Sequence, residues 1–310
     1  MEQITQMKQT KLMKQMKQNL YQAGIHLLFF ILVCLCFLPF VLLITTSFTD
    51  NLTIVKEGYT FFPSKFSLEA YQFLWKNSSD ILRAYGVTFF VTIIGTFVGL
   101  SMTAFLAYPL SRPDMPIRKP LAFIVFFTLL FNGGLVPTYL VYTEFFGMKN
   151  SLLGLIVPGL LTNGFYVAIM RTFFMTSIPT PIIESASMDG AGEYRIFFRI
   201  VLPLSLPIMA TIGLFLTIGY WNDWFNGLIY ITDSKLFSLQ NLLNRILLNA
   251  QFLETNTAMA TNTDIAASSK LPLESVRMAM AVIGTIPLLC AYPFFQKYFI
   301  KGLTVGAIKG

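Results

Sequence analysis

Residues 86–108 read GVTFFVTIIGTFVGLSMTAFLAY, a run with no Asp, Glu, Lys or Arg anywhere in it. A helix rises 1.5 Å per residue, so about 20 such residues cross a hydrocarbon core of about 30 Å. One central Lys, Arg or Asp costs about 2.5–3.5 kcal/mol there, which makes the absence of charge informative. Five more apolar stretches are counted with it, at 24–46, 121–142, 152–170, 207–230 and 276–296; Asp223 interrupts the last turns of 207–230, and Arg277 lies in the first turn of 276–296. Six spans are therefore expected, with the chain all-helical and integral to a membrane.

Composition agrees. Of 310 residues, 55% are apolar and 12% charged, against roughly 25% charged in a soluble domain. That excludes an ordinary soluble domain and a disordered chain, and three Cys are too few for a disulfide scaffold. Cys34, Cys36 and Cys290 lie in apolar runs and are read as packing residues rather than metal or redox groups. The first apolar run is too long for a cleaved signal peptide and is expected to remain as a span.

The net charge of +7 reads as topology rather than as a nucleic-acid surface. Lys8, Lys11, Lys14 and Lys17 precede the first span, while Arg112, Arg118 and Lys119 occupy the short second loop. Arg171, Arg195 and Arg199 follow the fourth span, and Lys297, Lys301 and Lys309 close the chain. Basic residues in short loops face the cytoplasm, so both termini are expected there. The basic arm, 1–23, either lies as a helix on anionic headgroups or is a solvated tail that sets topology. His26, near the end of the first span, has no catalytic partner in view and reads as interfacial.

Prolines at 39, 137, 158, 287 and 293 point to a packed bundle with kinks. Gly95 and Gly99 form a small-residue step that lets another helix approach, from this chain or a partner. No phosphate-binding loop, zinc-protease helix, nucleophile elbow or metal-ligand cluster is present in the sequence, so neither bond chemistry nor a cofactor of its own is expected. The span interiors are nearly free of charge, which disfavours ion coupling and favours energy from a separate subunit.

The segment 171–206 is the longest expected cytoplasmic connection. Thr180 is expected to cap a helix starting at Pro181 and running through Asp189, with Gly190 as the break. A second helix is expected from about Glu193 through Ile200, stopped at Leu202-Pro203. The short first helix either docks a partner or lies on the lipid.

Within this segment Glu184-Ser185-Ala186, Asp189-Gly190-Ala191 and Ile200-Val201-Leu202-Pro203 resemble the EAA loop of bacterial ABC importer permeases, with Ser185 in place of the first Ala. The likeness extends over essentially the whole chain. Residues 132–139 (NGGLVPTY), 221–224 (WNDW) and the tail 301–310 (KGLTVGAIKG) are similar to permeases of the carbohydrate-uptake class. More narrowly, they resemble the lipoprotein-dependent oligosaccharide permeases of Gram-positive bacteria and the smaller maltose-type permease.

That resemblance implies a type I ABC importer permease fold in a bacterial plasma membrane. Its implied partners are a second permease, a dimer of ATPase subunits that binds ATP and Mg, an extracellular solute-binding lipoprotein and an oligosaccharide. Glu184, Ser185, Ala186, Asp189, Gly190, Ala191, Leu202 and Pro203 then match the ATPase-coupling motif, and a Glu184 buried by docking needs a cationic or amide partner. Gly302, Leu303, Thr304 and Gly306 match a tail that enters the ATPase interface, the other reading being a frayed terminus. The permease domain is expected over 24–300, with an extracellular loop at 231–275 that is helix-forming around 239–253.

A sugar path needs aromatic faces and polar groups. Asn132, Tyr139, Asn163, Tyr220, Trp221, Asn222, Asp223, Trp224 and Asn226 offer that mixture. The same residues also suit an interfacial aromatic belt and bonds between helices. Rival functions are an ABC permease for a non-sugar solute, a secondary transporter or channel, and an intramembrane enzyme.

Overall fold

The computed structural model describes residues 2–76, 78–159, 161–259 and 272–307, and among them every regular element is helical. The described chain divides into two compact units, residues 2–73 with 272–282, and 74–259 with 283–307.

In the first unit α1 (Glu2–Ser47) joins the basic arm and the first apolar stretch into one helix that runs through Pro39. None of the residues in its most apolar stretch is buried within the chain, as suits a helix bathed in lipid. After it come α2 (Asn51–Glu57) and the start of α3 (Glu69–Lys76). The connecting loop is tied by Lys65 Nζ donating to Asp50 Oδ1 at 3.2 Å and by Ser47 Oγ against the Tyr71 hydroxyl at 2.8 Å. Asn51 Oδ1 accepts from Glu274 N at 3.0 Å and so caps α15 (Leu273–Ala307) across the sequence. Tyr59 donates to Glu274 at 2.7 Å and receives from Arg277, which also pairs with Glu274 at 2.9 Å. Burial, reinforced by the Glu274 carboxylate, pushes the Tyr59 phenol above its usual range.

The second unit is built around α4 (Ser78–Ser111). Its most extensive packing is on α12 (Leu206–Trp221) and α8 (Gly164–Ser177). The reason lies in the glycine step: the Tyr220 ring of α12 sits on Gly95, and the Leu161 carbonyl approaches Gly99. The step thus serves packing inside this chain. Ala107, Val167, Met170, Ile196 and Ile212 lie at the centre of that core, fully buried.

Among the described residues three helices are long and apolar enough to cross a membrane: Met16–Ser47 within α1, α4, and Glu274–Pro293 within α15. The other expected spans are broken. The third becomes α5 (Arg118–Leu130) and α6 (Leu135–Leu140, continued by a π turn to Phe145), bent by 119°. Its break follows from Gly133-Gly134, with Gly134 at φ 86° and the Asn132 side chain accepting from Gly134 N at 2.8 Å. The fourth becomes α7 (Leu153–Ile156) and α8, separated at Pro158-Gly159, where Gly159 has φ 73°. The fifth ends at Trp221 and restarts as α13 (Phe225–Tyr230).

On the connection after α8, α9 (Thr180–Met188) starts one residue earlier than expected, with Pro179 rather than Thr180 at the cap. The next helix also departs from expectation. It comprises α10 (Glu193–Ile196), a π turn (Phe197–Val201) and α11 (Leu202–Leu204), so it runs past Leu202-Pro203 and breaks at Ser205, with a bend of 79° into α12. Pro203 falls in the first turn after the π segment, where the helical bonding pattern is already altered. In the loop expected outside, α14 (Leu239–Met259) extends the expected helix, and the Ala-, Thr- and Asn-rich stretch after it lies mostly outside the described residues.

Candidate functional site: a cavity at three helix breaks and a helix–turn–helix

Three of the helix breaks converge. The 131–134 break contributes Asn132 and Gly134, the 157–163 break contributes Pro158, Gly159 and Thr162, and the α12–α13 break contributes Asp223, Phe225 and Asn226 to one cavity of about 750 Å³. Thr128, Thr138, Tyr142 and Tyr230 complete its polar lining. Irregular backbone at membrane depth is tolerated where it is buried in protein or lines a water-filled cavity, and broken helices are a recurrent way to build transport sites.

The polar edges are held in place. Asn226 Nδ2 donates to the Pro158 carbonyl at 2.9 Å, joining two of the breaks. Asp223 Oδ1 accepts from Asn226 N at 3.1 Å, which starts α13, whereas Asp223 Oδ2 is buried with no hydrogen-bond partner among the described residues. A carboxylate oxygen left this way is costly, and a hydroxyl donor would satisfy it. Tyr139 stacks on Tyr230 at 5.9 Å behind the lining.

Other residues expected at a sugar path lie outside this lining. Tyr220 donates to the Ile156 carbonyl at 2.9 Å, and Trp221 Nε1 donates to the Gly284 carbonyl at 2.9 Å with its ring edge-on to Phe89 at 5.1 Å. Both are buried. Asn163 caps α8 by accepting from Phe165 N at 2.9 Å. Asn222 bonds its own helix at Ile218, and Trp224 is exposed away from the cavity lining. Thr128, Tyr142, Thr162 and Tyr230 also line the cavity; Thr128 and Thr162 lie close to the Gly133-Gly134 and Pro158-Gly159 pairs, whereas Tyr142 and Tyr230 carry no such mark in the sequence.

On the other expected side, α9 ends in a Schellman arrangement. Gly190 has φ 78°, its N–H bonds Ser187 O, and Ala191 N bonds Ala186 O, both at 3.0 Å. Ile183 is buried and Ala186 half-buried, which fixes the inward face of α9. The outward face carries Ile182, Glu184, Ser185 and Met188, the last 83% exposed. Within this chain Glu184 is thus solvent-facing and not buried as docking would make it. Leu202 is half-buried and Pro203 exposed on α11. At the tail, the backbone of Gly302, Leu303, Thr304 and Gly306 continues α15, while 308–310 lie outside the described residues.

The family described as binding-protein-dependent transport system inner membrane component matches residues 104–305, which include the cavity and α9–α10. The chain belongs to that family. This ABC permease is 38% identical over 296 residues to the polygalacturonan/rhamnogalacturonan transport system permease protein YtcP of Bacillus subtilis (strain 168), covering 95% of this chain and 100% of that one. It is also 38% identical over 273 residues to protein LplC of the same organism, covering 88% and 89%. Among solved structures it is similar, with a TM-score of 0.74 and 26% identity, to a chain of a bacterial ABC transporter involved in the import of the acidic polysaccharide alginate, covering 91% of this chain and 97% of that one. The permease is a transport component embedded in a membrane, not an enzyme.

Proposed function

We propose that this chain is the transmembrane subunit of an ATP-driven importer that takes an oligosaccharide from an extracellular solute-binding lipoprotein. It pairs with a second permease and is moved by a separate ATPase dimer, which binds ATP and Mg. The observation that carries this reading is the family match across residues 104–305, within which both the three-break cavity and the Schellman-terminated α9 fall.

In this reading the chain spans a bacterial plasma membrane six times, with the bent α5–α6 pair and the interrupted α7–α8 pair each counted as one crossing and both termini cytoplasmic. Pairing between loops supports that topology. Asn150, from the loop before α7, accepts from Thr232 N at 2.7 Å and Asp233 N at 3.1 Å in the loop after α13, and both loops are assigned outside. Arg112, from the loop after α4, bonds Glu193 at 3.3 Å, and both are assigned inside.

The exposed face of α9, with Glu184 and Ser185, docks in the ATPase, and the C-terminal tail reaches the same subunits. The cavity forms this subunit's share of the solute path, Asn132, Asp223 and Asn226 supplying acceptors and donors for hydroxyls and Tyr142 and Tyr230 supplying ring faces. Relatives named for polygalacturonan, rhamnogalacturonan and alginate support a saccharide cargo. The test is pull-down of the intact complex from native membrane, followed by identification of the bound solute. Co-purification of an ATPase, a second permease and a saccharide-loaded lipoprotein is expected. A chain recovered alone, or with a lipoprotein that binds peptides, refutes the assignment.

A further inference from the structure

The cytoplasmic end of α4 is a junction of charge. Leu110 O accepts from Arg118 Nε at 3.1 Å, at the start of α5, and from Arg171 Nε at 3.0 Å, on α8. Guanidinium groups suit the negative end of a helix, so both hold α4 where its last carbonyls lack intrahelical partners. One residue past α4, Arg112 reaches the Asp114 carboxylate at 2.9 Å and Glu193 Oε1 at 3.3 Å. The Tyr108 hydroxyl donates to the other oxygen of Glu193.

Glu193 thus has each carboxylate oxygen tied to a different group at the end of α4. It is the first residue of α10, three positions beyond the Gly190 turn that ends α9. The joint is shielded on one side, the Arg112 side chain being 12% exposed and that of Glu193 40%. It is also backed by rings, Phe197 lying 5.0 Å from Tyr108 and 5.3 Å from Phe105. From there the contacts are continuous: α4 meets α12 where Tyr220 sits on Gly95, and Tyr220 bonds Ile156, one residue before the cavity wall begins at Val157.

We propose that Glu193 is a positioning residue that fastens the α9–α10 unit to the cytoplasmic end of α4, so that displacement of α9 is delivered through α4 to the cavity. This rests on the reading of α9 as the ATPase-docking element. Glu184 and Asp189, the other acids of that unit, are exposed and take no part in the joint.

The experiment uses the complete reconstituted importer with Glu193→Gln, Tyr108→Phe and the double variant. ATPase subunits should co-purify at the wild-type ratio and basal ATP hydrolysis should stay within about twofold. Solute carried per ATP should fall about fivefold in Glu193→Gln and less in Tyr108→Phe, within the range of coupling effects along packed networks. The double variant should be no worse than Glu193→Gln, because residues acting as one unit are not additive. Wild-type transport per ATP in both single variants, additive losses, or loss of the ATPase from Glu193→Gln overturns the proposal. Gly190→Asp, run alongside, separates the two readings. Full ATPase association there removes the docking reading and the joint with it; lost association there, with normal coupling in Glu193→Gln, overturns the joint alone.

Discussion

Gly95→Ala perturbs the contact that holds the second unit together. A Cβ built on Gly95 falls 2.5 Å from Tyr220 Cζ and 2.7 Å from both Cε atoms, against 3.4–4 Å for ordinary contact. The ring must therefore retreat by about 1 Å, yet Tyr220 is 2% exposed and its hydroxyl is anchored on Ile156 O at 2.9 Å. Overpacking of this kind costs about 1–3 kcal/mol. Losing the hydroxyl's bond adds about 0.5–1.5 kcal/mol, so the variant should be destabilised by about 2–4 kcal/mol.

Denaturant or thermal unfolding of the purified chain in detergent measures the change. Tyr220→Phe should cost only about 1 kcal/mol, since it removes the hydroxyl and keeps the ring. Tyr220→Leu should absorb most of the Gly95→Ala penalty, because the shorter side chain leaves room for the methyl group. Gly95→Ala within about 0.5 kcal/mol of wild type, or an equal penalty in the Tyr220→Leu background, would refute the packing argument.

Three further outcomes are expected. Gly190→Asp places a side chain at φ 78° in otherwise open space, so its cost is conformational, about 1–2 kcal/mol, and it should lose ATPase association and uptake in a pull-down and transport assay. Deleting residues 303–310 should abolish solute stimulation of ATP hydrolysis while leaving assembly intact; unchanged stimulation would mark the tail as a bystander. Asp223→Asn keeps the shape but weakens a charged acceptor, worth about 1.5–3 kcal/mol to a bonded hydroxyl, so half-saturation for uptake should rise at least about tenfold. Unaltered affinity and rate would instead make Asp223 a structural residue at the start of α13.

The membrane class was legible because it depends on composition, and Gly190 was legible because a helix end that needs positive φ has few alternatives to glycine. The breaks were not, although their signals were present. Hydropathy is indifferent to Gly133-Gly134 and Pro158-Gly159, which leave an apolar run apolar while ending its helix. Proline alone misled in both directions, since α1 runs through Pro39 but the third apolar stretch breaks at glycines before Pro137. Tyr220 and Trp221 sit beside Asn222 and Asp223 in sequence and resemble a sugar platform. Their packing partners, Gly95 and Phe89, lie more than a hundred residues away and carry no local mark. The same holds for Arg112 and Glu193, which are 81 positions apart.

The proposed role of this permease is to move an oligosaccharide on energy supplied by another subunit. Uptake into proteoliposomes containing this chain, its partner permease and the ATPase, with the loaded lipoprotein outside and ATP inside, tests it most directly. Saccharide accumulation should require ATP hydrolysis and vanish when either this chain or the ATPase is omitted. Accumulation driven by an ion gradient through this chain alone would contradict the account.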